Sequence, residues 1–123
     1  MASIANDITA TILAATQTNP DANYPLDGEN LLPVIKGETP IHPRVLFWRY
    51  KGIDVPALPS NFLQGAVRNG DWKYVKMGTE EFLFNLATDT KEEIDLRADN
   101  INMFEQLRSE YERWSAELVP YPV

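Results

Sequence analysis

Residues able to do chemistry are few in this chain, and their spacing limits what they can do. Cysteine is absent from all 123 residues, which removes a thiol nucleophile, thiolate metal ligands and disulfides together. The redox compartment therefore cannot be read from the sequence. His42 is the only histidine, so no pair of imidazoles can hold a metal. A serine triad would have to recruit it, yet no G-x-S-x-G elbow presents a serine. The acidic clusters are Glu80-Glu81 and Glu92-Glu93 with Asp95. Neighbouring residues of a strand point to opposite faces, so Glu80 and Glu81 do not chelate one ion. Glu92 and Asp95 fit the first turn of a short helix, where carboxylates favour the dipole. No EF-hand spacing is present. The residues thus assign no catalytic group and no metal ligand.

What remains is binding chemistry. Arg44, Arg49, Arg68, Lys73 and Lys76 could make a local anion patch, with Phe47, Trp48, Trp72 and Tyr74 nearby to stack on sugars. Strand alternation divides the cations between faces, and Asp71 is a cross-strand partner for Arg68; aromatic residues at strand spacing also build cores. The candidate substrate-binding residues are His42, Arg44, Trp48 and Arg49. For His42, between Pro40 and Pro43, an ordinary loop role competes with substrate contact.

The elements that must position these groups follow from periodicity. Ser3 to Thr16 reads as a helix capped by Ser3 or Asn6, with Ile4, Ile8 and Ile12 as its stripe, widened by Ala5, Leu13 and Ala15. If nothing in the chain covers that stripe, it is a contact surface for a partner. Gln17 to Pro43 is a proline-rich connector, with a turn at Asp27-Gly28 and a short apolar helical face of Leu31, Leu32 and Ile35 ended by Gly37. Val45 to Tyr50 is a strand by its β-branched and aromatic content. Gly65–Arg68 and Asp71–Lys76 form a hairpin about Asn69-Gly70, with Val67 opposite Trp72 and Arg68 opposite Asp71. Glu81 to Leu86 is a further strand with Phe82, Phe84 and Leu86 on one face. Ile101 to Leu118 is an amphipathic helix whose apolar stripe is Phe104, Leu107, Tyr111, Trp114 and Leu118, capped by Asn100 or Asp99 and stopped by Pro120.

Bulk properties set outer bounds. Hydrophobic residues make up 44% and charged residues 24%, the balance of a folded domain. A net charge of -7 disfavours nucleic acid and gives no long-range attraction for an anionic substrate. No apolar run reaches the ~20 residues of a membrane span. The N-terminal stretch has no basic flank, so no secretory signal is expected, and localisation is not assigned.

Six segments, in order, carry a family resemblance: Asp7 to Leu13 (DITATIL), DGENLLPVIKG, LFWRY, AVRNGDWKYVK, FLFNLATDTKEEIDL and the final helix. Together they resemble the C-terminal module of the sulfatase family, the arylsulfatase-like enzymes of the alkaline-phosphatase superfamily. Departures are small: Thr90 stands where the family usually has proline, and Phe84 replaces a tyrosine. The resemblance implies an α+β fold, a small four-stranded antiparallel sheet with a long C-terminal helix on one face. Residues 1–43 would be the N-terminal helix and connector, a remnant of the larger catalytic domain, and 44–123 the module itself.

In full-length relatives the nucleophile is a formylglycine made within C/S-x-P-S/T-R, and calcium is bound by the catalytic domain. The nearest string here, Ala57-Leu58-Pro59-Ser60-Asn61, has a methyl group where the nucleophile belongs. No cofactor is therefore assigned to this chain. The resemblance implies an accessory module, inactive alone and docked on a sulfatase catalytic domain. The alternatives are a stand-alone interaction module, a homo-oligomer through Ile4, Ile8 and Ile12 or a weak anion- or carbohydrate-binding surface, and an independently active hydrolase.

Overall fold

The computed structural model describes residues 2–51 and 62–120. They form two compact units, Met1–Arg44 and Val45–Val123.

The first unit holds helix α1 (Asn6–Ala15) and the short helix α2 (Leu32–Ile35). Neither Ser3 nor Asn6 caps α1. Ala5 occupies that position without a side-chain bond, and the Asp7 carboxylate turns back to accept the Ile4 N–H at 2.9 Å. The buried stripe is rotated from the isoleucines: Asp7 and Ala10 are buried, while Ile8 and Ile12 are 61% and 56% exposed. In α2, Leu31 is buried at the start and Ile35 faces out. Gly28 lies against α1 so closely that a β-carbon would overlap the Asn6 carbonyl. Here the Asp27-Gly28 bend serves close packing.

The second unit is an antiparallel sheet in the order β1 (Val45–Lys51), β2 (Leu63–Asn69), β3 (Trp72–Met77) and β4 (Glu80–Asn85), followed by helix α3 (Ile101–Glu117). With the first unit's helices this is the α+β arrangement expected. The β2–β3 turn differs in register from the sequence reading. Asn69 pairs with Trp72, Arg68 with Lys73 and Val67 with Tyr74, so the loop is Gly70-Asp71. Only Gly70 takes positive φ, 61°, the residue that tolerates it best. Arg68 accordingly reaches the Gly70 carbonyl at 2.9 Å rather than Asp71.

Cross-strand partners share a face, and two rows define the two sides of the sheet. Phe47, Val67, Tyr74 and Leu83 form the inner row. Phe104, Leu107 and Tyr111 of α3 pack with them, and Trp114 stacks on Phe47 at 5.0 Å. Trp48, Ala66, Val75 and Phe82 form the outer row. Phe82 and Phe84 share one face, as the alternation predicts, and stack at 6.0 Å; that face is the outer one, and Leu83 points to the inner row. Apolar residues at three successive positions leave both faces of β4 hydrophobic, so alternation alone does not say which is inside. α3 starts after Asn100, whose side chain makes no cap bond but donates to the Leu96 carbonyl at 3.3 Å.

No helix covers Glu92 and Asp95. Glu92 has φ 59°, incompatible with a right-handed turn. Asp95 accepts the Leu83 and Arg97 N–H groups, each at 3.1 Å. Asp89 accepts the Ile94 N–H at 2.9 Å, and that bond chiefly holds its carboxyl below its ordinary value. These side chains compete for local backbone donors, which favours turns over helix.

Candidate functional site

Among the expected substrate contacts, His42 and Arg44 come together in the first unit, each on a carboxylate. Arg44 donates to both Asp7 oxygens, at 2.7 and 3.0 Å, and its Nε lies 3.0 Å from Glu29 Oε2. His42 Nε2 lies 2.8 Å from the other Glu29 oxygen. Asp7 also accepts the Glu29 N–H at 2.9 Å. The bonds from Arg44 hold the Asp7 carboxyl well below the usual carboxylate range. Burial opposes them, and the N–H groups of Glu29 and Ile4 add to them. The same pairing raises Arg44. The fork is already filled by two carboxylates, so this arrangement clasps α1 to the connector. Leu31 N–H donating to Thr11 Oγ1 at 3.0 Å is a second tie. Asp7 and Glu29 were not singled out as partners in the sequence. The available signal was that Asp7 is the only charge in the first twenty residues and stands within an apolar helix.

Beside the clasp, an open groove of about 460 Å³ runs between α1 and α2. Ile4, Ile8, Ile12, Leu31 and Ile35 line it with Thr11 and Asp7. Its one charge is the Asp7 carboxylate, already neutralised by Arg44. The unit's buried apolar residues are Ala10 and Leu31, a very small core for some forty residues.

Trp48 and Arg49 belong to the second unit and point to opposite faces of β1. Trp48 is 38% exposed on the outer face. Arg49 donates to the Val119 carbonyl at 2.7 Å. Lys73 is held by Glu92 at 2.6 Å. Arg68 and Lys73 share a row on one face of the sheet and Arg49 and Lys76 a row on the other, so the second unit's four candidate cations do not form one anion patch. On the inner face Tyr74 donates to Glu81 at 2.7 Å, and burial, then that bond, raises its hydroxyl.

Among the described residues no group of three His, Asp or Glu could hold a metal ion, and no helix is long and apolar enough to cross a membrane. Ala57-Leu58-Pro59-Ser60-Asn61 lies outside the described residues.

No protein-family model matches the chain, and no curated protein matches it in sequence. Solved structures do. The phosphonate monoester hydrolase of Agrobacterium radiobacter is 26% identical over 90% of this chain, with a TM-score of 0.66. Ps i-CgsB in complex with k-i-k-neocarrahexaose is 29% identical over 89%, with a TM-score of 0.63. A Bacteroides thetaiotaomicron protein from a locus for metabolism of multiple glycosaminoglycans shares the fold, with a TM-score of 0.64 at 16% identity. The chain spans about a quarter of the length of these structures, 24%, 23% and 24% respectively. In fold, in the order of its motifs and in its structural neighbours, the chain resembles the C-terminal module of the sulfatase family.

Proposed function

We propose that this chain is an accessory module of a sulfatase-type hydrolase. In this reading its first unit docks through the α1–α2 groove on a catalytic domain, carried on the same polypeptide or another, which supplies nucleophile and metal. The observation that carries the reading is the mismatch between the first unit's surface and its core. Six large hydrophobic residues (Ile8, Ile12, Tyr24, Leu26, Ile35 and Ile41) are exposed around a core in which, among the described residues, two apolar side chains are buried. Ile8, Ile12 and Ile35 line the groove, and fully burying one such side chain contributes ~1.5–3 kcal/mol, so a partner covering the groove would add apolar burial comparable to what the unit has alone. The clasp supports the same role, since it fixes the presentation of α1 without consuming its isoleucines.

Substrate contact by His42 and Arg44 is not part of this proposal, because the Arg44 guanidinium is committed to Asp7 and Glu29 and His42 Nε2 to Glu29. The test is a chimera in which this chain replaces the matched quarter of the Agrobacterium radiobacter hydrolase. Phosphonate monoester hydrolysis is expected from the chimera, none from this chain alone, and a loss of at least tenfold with Ile8→Asp and Ile12→Asp. Hydrolysis by the chain alone at the chimera's rate would overturn the proposal.

A self-paired dimer through Ile4, Ile8 and Ile12 is the competing reading, favoured by the lack of net charge in the groove on a chain of net charge -7. Sedimentation velocity separates the two. A dimer dissociated by the double aspartate change supports self-pairing, and a monomer before and after supports docking.

A further inference from the structure

The outer face of the sheet carries a second concavity, within the second unit and independent of the docking just proposed. It is shallow, about 200 Å³, lined by Trp48, Tyr50, Gln64, Ala66, Val75 and Met77 together with Gly65 and the cationic residues Arg49, Lys73 and Lys76. The register explains its shape. Trp48, Ala66 and Val75 lie in one row, and Tyr50, Gln64 and Met77 in the next, so small Ala66 leaves an apolar floor beside the indole. Phe82, next in the Trp48 row, lies under the Arg97 guanidinium at 5.9 Å, and Lys73, in the row beyond, is tied to Glu92. These two contacts bound the patch and keep it small.

We propose that this concavity binds one neutral hexopyranose ring of a glycan. Two exposed aromatic rings, Trp48 at 38% and Tyr50 at 53%, offer a stacking surface for the apolar face of a pyranose. The indole N–H, the Tyr50 hydroxyl and the Gln64 amide make no hydrogen bond to another described residue, so they are available as donors and acceptors for ring hydroxyls. The volume falls below the ~300 Å³ of sites for drug-sized ligands, which suits a single ring.

Charge selects the neutral ring. Lys73 is neutralised by Glu92, Glu80 pairs with Met77 at the end of the Tyr50 row, and the chain carries net charge -7. A sulfated or phosphorylated ring would find Lys73, the outer-face cation lining the concavity, already paired with a carboxylate and would meet a repulsive long-range field. Arg49 and Lys76 belong to the inner-face row. The sequence reading named Trp48 and Arg49 together; the register leaves Trp48 with Tyr50 and Gln64 instead.

The test is an NMR titration of the full ¹⁵N-labelled chain with cellohexaose, maltohexaose and agarohexaose, and with a sulfated carrageenan hexasaccharide. At least one neutral oligosaccharide is expected to shift the Trp48 indole and Gln64 amide signals, saturating with Kd of about 1 mM. Trp48→Ala and Gln64→Ala should each weaken that binding, Trp48→Ala by tenfold or more. Ile8→Asp with Ile12→Asp should leave it unchanged, which separates this site from the docking groove. Both outer-face variants are checked for an unchanged amide spectrum elsewhere, so loss of fold is not read as loss of binding. No shift with any of the three neutral sugars up to about 20 mM would overturn the proposal. So would tighter binding of the sulfated hexasaccharide at this face, which would make the site anionic in preference.

Discussion

Replacing Arg44 by methionine is the sharpest perturbation of the first unit. The substitution keeps the apolar stem and removes the guanidinium, leaving Asp7, 2% exposed, with only the N–H groups of Ile4 and Glu29. Breaking a buried ion pair from one side costs ~3–5 kcal/mol. The Arg44 side chain is itself 15% exposed, so the low end applies, about 3 kcal/mol, or roughly a hundredfold in the opening equilibrium of α1. Native-state hydrogen exchange at the α1 amides reads this directly, because local opening is resolved from global unfolding. Asp7→Asn in the Arg44→Met background should recover ~1–2 kcal/mol by removing the orphaned charge.

The wild-type pH dependence has a definite sign. Asp7 titrates below its ordinary value of 3.8, so its stabilisation is complete above that value and is lost as pH falls from there toward the folded-state value. The slope approaches ~1.4 kcal/mol per pH unit. An Arg44→Met chain whose α1 opening free energy stays within ~0.5 kcal/mol of wild type, the spread of a surface substitution, would refute the reasoning.

Other perturbations have equally definite outcomes. Gly65→Ala would drive a β-carbon into the Tyr111 ring, costing ~1–3 kcal/mol in urea unfolding followed by tryptophan fluorescence. Leu107→Ala removes a side chain with no exposed surface and should cost ~2–5 kcal/mol in the same assay. Asp95→Ala leaves the Leu83 N–H without its acceptor, and protection of that amide should fall by an amount equivalent to ~1–2 kcal/mol. Ile8→Asp with Ile12→Asp alters only exposed positions. It should shift chain stability by less than ~1 kcal/mol in total while abolishing docking.

Much of the second unit was legible because its signals are local. The stripe of α3 named Phe104, Leu107 and Tyr111, all buried, and the Gly70 turn marked the hairpin. The exact pairing was not legible: Asn-Gly is compatible with more than one two-residue loop, and a two-residue change of partner preserves the faces while changing every cross-strand pair. In strand β4 the shared face of Phe82 and Phe84 was legible from alternation, but Phe82, Leu83 and Phe84 all satisfy hydrophobicity and only the ladder says which is inside.

In the first unit the isoleucine periodicity was real, but it marks the uncovered side of α1. The covered side holds Asp7, paired to an arginine 37 residues away. Such a non-local partner leaves no periodic trace. The same holds for His42 and Arg44, whose residue types suggest anion binding and whose neighbours are carboxylates. Trp48 was named as a candidate substrate contact by its residue type, but its companions Tyr50 and Gln64 depend on the β1–β2 register.

Hydrogen exchange on the isolated, monomeric chain tests most directly whether the first unit is an unfinished core completed by another domain. The account predicts that α1 amides open at free energies at least ~2 kcal/mol below those of α3 and the β2–β3 hairpin. Covering the groove with a catalytic domain should close that gap. Equal protection of α1 and α3 in the monomer would contradict it.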